Sequence, residues 1–501
     1  MSESLPETPG HMGPDEFRRQ AYRAVDRIAS YMERVGGFGA LPATEPGEVL
    51  AKVPPHPPEH AGDENEWDRI FEDLEQIIEP NLMHWQSPSF FGYFPCNSSG
   101  PAIIGELLSA GYGQQGMLWQ TSPASNELER ALLDQMARAC GLPERFLSTS
   151  PNGGGCIQGT ASESTLVAMV AGRRRAVGLG ADPARVTVYA STEMHSSFVK
   201  AALITGLARE ASDAARVRLI PTDSAGAMDV SALRDAIVRD MNDGLTPAMV
   251  GVTLGTTSTT AIDPLGAIGR CVRQTGAATR GCWLHVDAAH AGAMLVCPEH
   301  RAMIEGIERV DSFCYNPHKW QMVNFDCNLF WTSDRASLVR SLSVMPEYLR
   351  NEASEVGGVF DYRDWSVPLG RRFRSLKLWL VLRHYGLEGL RAHIRGHLRL
   401  AEVFEGLVRS DPRFEVLAPR TMNLICLALR AGDAPTRELM DRLNRTGPAF
   451  VTHTVVETDA GPRLAIRVAI GATMTDQSHV HGLWTQMQRL ADEVLDDDHG
   501  A

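Results

Sequence analysis

Four stretches of this 501-residue chain place polar residues where a strand ends or a helix opens, and together they suit one kind of cofactor. YNPHKW, residues 315–320, puts Lys319 at the end of an apolar run. Lysine is a poor choice for a packed strand end, but a desolvated amine is what imine chemistry with an aldehyde requires. Trp320, Phe325, Phe330 and Trp331 surround it, which disfavours a solvated surface pair, and His318 is placed to hold a phosphate oxygen or orient the imine. HVDAAHAG, residues 285–292, closes a second apolar run with Asp287. A carboxylate there is costly unless paired, so Asp287 either caps the next helix or meets a cation such as a protonated pyridine nitrogen. In EMHSSFVKA, residues 193–201, His195 follows the run VTVYA. It either stacks on a cofactor ring and moves a proton, or fills a capping or core position. NGGGCIQGTASES, residues 152–164, brings glycines and then Thr160, Ala161 and Ser162 at a helix start, where amide and hydroxyl donors suit a phosphate. The loop matches neither GxGxxG nor GxxxxGKS, and by itself it reads equally as a turn and cap.

These residues need a frame that brings strand ends together. Between about residues 100 and 335, short β-branched runs alternate with helical stretches: VTVYA (186–190), AMVGVTL (248–254), GCWLHVDAA (281–289) and DSFCYN (311–316). Apolar strands without strict alternation, separated by helices, predict an α/β fold with a mostly parallel sheet covered on both faces. Ligands of such sheets sit beyond the carboxyl ends of the strands. Upstream, Phe17, Ala21, Val25, Ile28 and Met32 recur at helical spacing and give an apolar stripe that needs a partner. A second amphipathic helix carries Trp67, Ile70, Phe71, Leu74 and Ile77. Residues 1–14 read as a disordered tail within an N-terminal helical segment, 1–95. A large domain, 96–370, follows, and then a smaller α+β domain, 371–501, with strand-like runs NLICLAL and RLAIRVAI.

The balance of 48 basic against 61 acidic side chains gives a net charge of −13, which opposes binding to nucleic acid or an anionic membrane. Arg173, Arg174 and Arg175 form one compact basic run, expected as a solvated helix face. No apolar stretch is long enough to span a bilayer, and no signal sequence opens the chain, so the expected location is the cytoplasm. None of the nine cysteines forms a CxxC pair, and no metal site is expected.

The order of Gly-rich loop, His195, Asp287 and Lys319 resembles the fold-type-I pyridoxal-phosphate enzymes, and within them the group II decarboxylases, especially the aromatic-L-amino-acid decarboxylases. The resemblance runs from about Asp15 to Leu495. Its most specific stretches are SPSFFGYFP (87–95), IQGTASES (157–164), LHVDAAHAG (284–292), NPHKWQMVNFDC (316–327) and DYRDWSVPLGRRFRSLKLW (361–379). It implies a seven-stranded-type sheet and pyridoxal 5'-phosphate attached to Lys319, with Asp287 on the pyridine nitrogen. It further implies that Ala161, Ser162, Ser312, Asn316 and His318 hold the phosphate end, with His195 on the ring and Thr257 nearby. Trp85, Tyr93, Phe94, Pro95 and Cys96 would line the substrate pocket. The family works as homodimers with sites at the subunit interface, which would cover the Phe17 to Met32 stripe. A family loop falls on residues 344–358, with Tyr348 in the position of the catalytic tyrosine. The expected reaction is decarboxylation of an L-amino acid, with tryptophan, tyrosine, dopa and phenylalanine as first candidates. Histidine, glutamate, a diamino acid, and an aldehyde-forming or transaminating reaction on the same lysine remain as alternatives. The chain departs from the pattern at Cys96, where a threonine is common, at His290, where an aromatic residue is usual in animal members, and at Gln114, Gln115 and Met117, which make the pocket more polar.

Overall fold

The computed structural model describes residues 11–344 and 359–499. Residues 1–10, most of the expected tail, lie outside that range, as do residues 345–358 with Tyr348. The first helix, Pro14–Arg34, starts with proline at its first position and Asp15 and Glu16 in its first turn, both suited to a helix amino terminus. Only Gln20 of this helix is buried, while Phe17, Val25, Ile28 and Met32 stay exposed along one side.

Seven strands form the central sheet: β1 (Gly154–Gln158), β2 (Val186–Ser191), β3 (Val217–Ile220), β4 (Thr246–Thr253), β5 (Trp283–Asp287), β6 (Ser312–Tyr315) and β7 (Asn328–Thr332). Their spatial order is β1-β7-β6-β5-β4-β2-β3, and only β7 runs against its neighbours. Five of the seven are buried along their whole length, as expected for strands with helices on both faces. Alternation along β5 sends Leu284 and Val286 into one core, and Trp283, with His285 and Asp287 in phase with it, towards the other. The second core lies under the helix Ala161–Gly178, so Asp287 shares a face with that helix. Arg175, expected on a solvated surface, is instead drawn inward. It forks onto Asp311 at 2.8 and 2.9 Å and lies 4.5 Å over the Trp283 ring, while Arg174 stays exposed.

A second sheet combines β8 (Phe414–Val416), β9 (Leu424–Leu429), β10 (Thr452–Thr458) and β11 (Gly461–Ala469), all antiparallel, in the order β10-β11-β9-β8. The helix Arg374–Ser410 joins the two sheets. Leu378, Val381 and Leu390 belong to the large core, whereas Ala401, Phe404 and Val408 belong to the core of the smaller sheet. Gly386, at φ 62°, breaks the helical geometry between Val381 and Leu390, within the stretch packed on the large core.

Candidate active site

The carboxyl ends of β4, β5 and β6 open on a cavity of about 220 Å³, whose far wall is the amino terminus of the helix Ala161–Gly178. Lys319 lies on the single helical turn Pro317–Trp320 that follows β6 directly. Its Nζ is 5.2 Å from the centroid of the Phe94 ring and makes no ion pair among the described residues. Burial lowers the pKa of the amine, Asp287 and Cys314 oppose the shift, and Arg467 adds to it.

Asp287 ends β5, in register with Thr253 on β4 and Cys314 on β6. It is 4 % exposed, and among the described residues one backbone donor, Ala289 N at 2.9 Å to Oδ1, serves its carboxylate. His195 sits two residues before the helix Ser197–Ile204. Its Nδ1 accepts from the Ser197 amide (3.2 Å) and pairs with the Ser197 hydroxyl (2.9 Å), which places the ring proton on Nε2. Partial desolvation lowers its pKa, against the pull of Asp287 and with the push of Lys319.

At the other end of the cavity, His318 Nδ1 accepts from the Cys327 amide at 2.9 Å, so its proton too is on Nε2. Burial and then Lys319 push its pKa down to about 3, so it remains a neutral donor. Asn316 accepts through Oδ1 from Asn328 Nδ2 at 2.7 Å, which leaves its own NH2 group to donate elsewhere. Ala161, Ser162 and Thr257 complete the expected part of the lining. Thr257 also accepts through its carbonyl from Arg467 at 2.6 Å.

Ser312 is elsewhere. It opens β6 at the end remote from the cavity, is fully buried, and its hydroxyl meets His285 Nδ1 at 2.8 Å and Trp283 Nε1 at 2.7 Å. A residue at the amino end of a parallel strand cannot reach a ligand beyond the carboxyl ends, so the expected phosphate contact of Ser312 is corrected to a contact within the core. Of the five residues expected around the substrate, Phe94 lines the cavity within one chain. Trp85 and Tyr93 stack on each other at 5.7 Å, next to Phe90 and Phe450. Pro95 is buried near Gly471, and Cys96 is half-buried beside the Phe325 amide. Gln114 and Gln115 bond Ser122 and the Arg371 amide, which makes them loop braces in this chain.

Thr253, Gly255 and Ala289 line the cavity without having been singled out from the sequence, and Phe325, named only among the apolar neighbours of Lys319, lines it too. The available signal was position: each lies within a few residues of a strand's carboxyl end or of Lys319. His290, flagged only as a departure, is sandwiched between Phe94 (4.1 Å) and Trp320 (4.7 Å) and bonds Asn423 at 2.7 Å. Burial pushes its pKa down to about 3.

These residues fit pyridoxal phosphate. A buried carboxylate with no ion pair among the described residues suits a cation at the ring-nitrogen end, a buried amine likewise without an ion pair among them suits an aldehyde, and a helix amino terminus with His318 and Asn316 supplies donors for a phosphate. A family model described as the pyridoxal-dependent decarboxylase conserved domain matches residues 46–430. The chain is 42% identical over 496 residues to a phenylacetaldehyde synthase of Arabidopsis thaliana, covering 97% of each. It is 41% identical to a tryptophan decarboxylase 2 of Oryza sativa subsp. japonica, covering 97% of this chain and 96% of the relative. An Oryza sativa TDC solved with PLP and tryptamine superimposes with a TM-score of 0.91 at 39% identity, covering 97% of this chain and 99% of that one. With the family match spanning most of the chain and the donor set suited to the cofactor, the chain belongs to the pyridoxal-dependent decarboxylase family.

Proposed function

We propose that this enzyme removes the α-carboxylate of an aromatic L-amino acid and releases the amine and carbon dioxide. The observation that carries the reading is the convergence of Lys319, Asp287 and His195 on one cavity at the strand ends. When bound, pyridoxal phosphate supplies an aldehyde for covalent attachment and a protonated ring that accepts the electron pair left by the departing carboxylate. Lys319, its amine held below its ordinary pKa by burial, would hold the cofactor through that aldehyde. Asp287 would keep the ring nitrogen protonated, so that the ring can act as an electron sink. His195 would face the ring, and the proton on its Nε2 would orient the substrate carboxylate or be passed to Cα. His318, Asn316, Ala161 and Ser162 would hold the phosphate, with Thr257 near the ring. Phe94 and the stacked His290 give the flat apolar wall that suits an aromatic side chain, with Trp85, Tyr93, Pro95 and Cys96 completing the pocket. The relatives named as aromatic decarboxylases agree with that substrate class.

Tyr348, outside the described residues, is assigned the return of a proton to Cα. A second reading, aldehyde formation, is favoured by the relative named as a phenylacetaldehyde synthase. Incubation with tryptophan, tyrosine, dopa, phenylalanine, histidine, glutamate and a diamino acid, scoring carbon dioxide, amine, aldehyde and oxygen uptake separately, separates the two readings. Amine without oxygen uptake supports decarboxylation, and aldehyde with ammonia and peroxide supports the other. Tyr348→Phe is expected to keep releasing carbon dioxide while the product shifts from amine to aldehyde. An unchanged amine yield would place the proton donor elsewhere.

The working form is assigned as a homodimer, since the exposed Phe17, Val25, Ile28 and Met32 need a cover. Among the described residues no helix is long and apolar enough to cross a membrane. A cytoplasmic location fits nine cysteines that are all free.

A further inference from the structure

Two carboxylates converge behind the expected phosphate end, and the functional reading has not used them. Gly159 lies two residues before the helix Ala161–Gly178. A Cβ placed on it would stand 3.0 Å from Asp326 Oδ2, 3.2 Å from Glu163 Oε2 and 3.8 Å from Arg374 Nη2. Glu163 is in the first turn of that helix and accepts from the Gly159 amide at 2.9 Å, with no ion pair among the described residues. Arg374 forks onto Asp326 with Nε to Oδ1 at 3.0 Å and Nη2 to Oδ2 at 2.9 Å. Burial pushes the Asp326 carboxyl up, but the Arg374 hydrogen bonds and charge, with Lys377, hold it below its ordinary value. Asp326 is therefore an anion next to a site that must accept a phosphate dianion.

Asp326 also immediately precedes Cys327, whose amide fixes the His318 tautomer at 2.9 Å. The residue that brings negative charge to the phosphate end thus adjoins the peptide whose amide leaves the Nε2 proton of His318 free to donate. A cation is needed to keep the second effect and cancel the first. A tenfold change in affinity corresponds to about 1.4 kcal/mol, a size within the reach of a carboxylate acting on a nearby anion at a partly buried site.

We propose that Arg374 is a positioning residue for the cofactor: by pairing with Asp326 it screens the phosphate site from the Asp326 and Glu163 carboxylates and steadies the loop that presents His318. This joins three of the sequence stretches, IQGTASES, NPHKWQMVNFDC and DYRDWSVPLGRRFRSLKLW, in one charge arrangement. It rests on the reading that the phosphate lies at the helix amino terminus.

The test measures dissociation constants of pyridoxal phosphate and of pyridoxal, which lacks the phosphate, for the full chain, Arg374→Gln, Arg374→Lys and the double variant Arg374→Gln with Asp326→Asn. Arg374→Gln is expected to weaken pyridoxal phosphate about tenfold or more and pyridoxal by less than about twofold. Asp326→Asn in the double variant is expected to recover most of the loss, because it removes the uncompensated charge. Arg374→Lys keeps the cation and is expected to fall between, and it carries the same comparison if the glutamine variant does not fold. Equal weakening of both ligands, an unchanged pyridoxal phosphate affinity, or failure of the double variant to recover would overturn the proposal. If the unaltered chain itself bound both ligands equally, the phosphate reading would fail instead, so the two failures are distinguishable.

Discussion

At the scale of single residues, the chemistry follows from what each buried group lacks. Lys319 has a lowered pKa and makes no ion pair among the described residues, so Lys319→Ala is expected to abolish turnover and leave no cofactor that borohydride can trap on the chain. Covalently trapped cofactor in that variant would remove Lys319 from its role. On the proposed reading Asp287 holds a different position, because the phosphate contacts would be made elsewhere and its charge would act on the ring. Asp287→Asn is expected to lower kcat by about hundredfold or more while raising the cofactor dissociation constant much less, since the interaction matters most as electrons enter the ring. Comparing turnover with cofactor titration checks this, and near-normal turnover would refute it. Ser312 gives the contrasting case. Ser312→Ala removes the partner of both His285 Nδ1 and Trp283 Nε1, a loss of about 1–3 kcal/mol in unfolding free energy, and is expected to leave cofactor affinity nearly unchanged. Denaturant unfolding alongside cofactor titration distinguishes that outcome from the phosphate contact first expected.

At the scale of elements, β5 and β6 set the distance between Asp287 and Lys319, and the helix Ala161–Gly178 sets the third corner. The parallel pairing fixes which strand ends meet, and the tight Pro317–Trp320 turn keeps Lys319 next to the end of β6 rather than farther along a loop. The first helix, Pro14–Arg34, poses the opposite problem, an element with too few contacts. Its exposed Phe17, Val25, Ile28 and Met32 form a stripe that water does not favour. Deleting residues 1–35 is therefore expected to convert a dimer into aggregating or unstable protein, as read by light scattering and thermal unfolding. A soluble, active monomer would show that the stripe needs no partner subunit.

For the whole molecule, burial of imidazoles links stability to pH. His285 and His393 are pushed down to about 4, and His290 and His318 to about 3, each chiefly by burial. Folded, these rings stay neutral, whereas in the unfolded chain they take protons below about pH 6.5. Because the unfolded state then binds more protons, unfolding free energy is fully present above about pH 6.5 and falls as the pH drops towards 4. Asp263, pushed up to about 6 by burial, acts in the opposite direction by taking its proton more readily when folded. Asp364 is raised as well, but among the described residues His84, His195 and His397 are also held down chiefly by burial, so two carboxyls against seven rings leave the net effect destabilising. Urea unfolding at pH 7.5, 6 and 5 is expected to show midpoints that fall with pH, and His393→Gln is expected to flatten the trend. A midpoint that stays constant or rises on acidification would contradict this account.

The sequence by itself determined the chemistry and the kind of frame. Lys319, Asp287 and His195 were legible because each is a polar residue at the end of an apolar run, where burial is costly without a purpose. The long motif matches then tied them to one family, and the alternation of β-branched runs with helices predicted the parallel sheet. Local pattern carries such information because side-chain burial and backbone periodicity are set within a few residues. Position along a strand relative to its neighbours is not local. Only the tertiary structure decided that Ser312 starts β6 beneath the helix rather than reaching the phosphate, that Arg175 is held inward by Asp311 and Trp283, and that one helix serves two cores. It alone brought Glu163, Asp326 and Arg374 together from stretches far apart in the chain, because strand order and helix crossing determine which charges meet, and neither is written in the spacing of residues along the sequence.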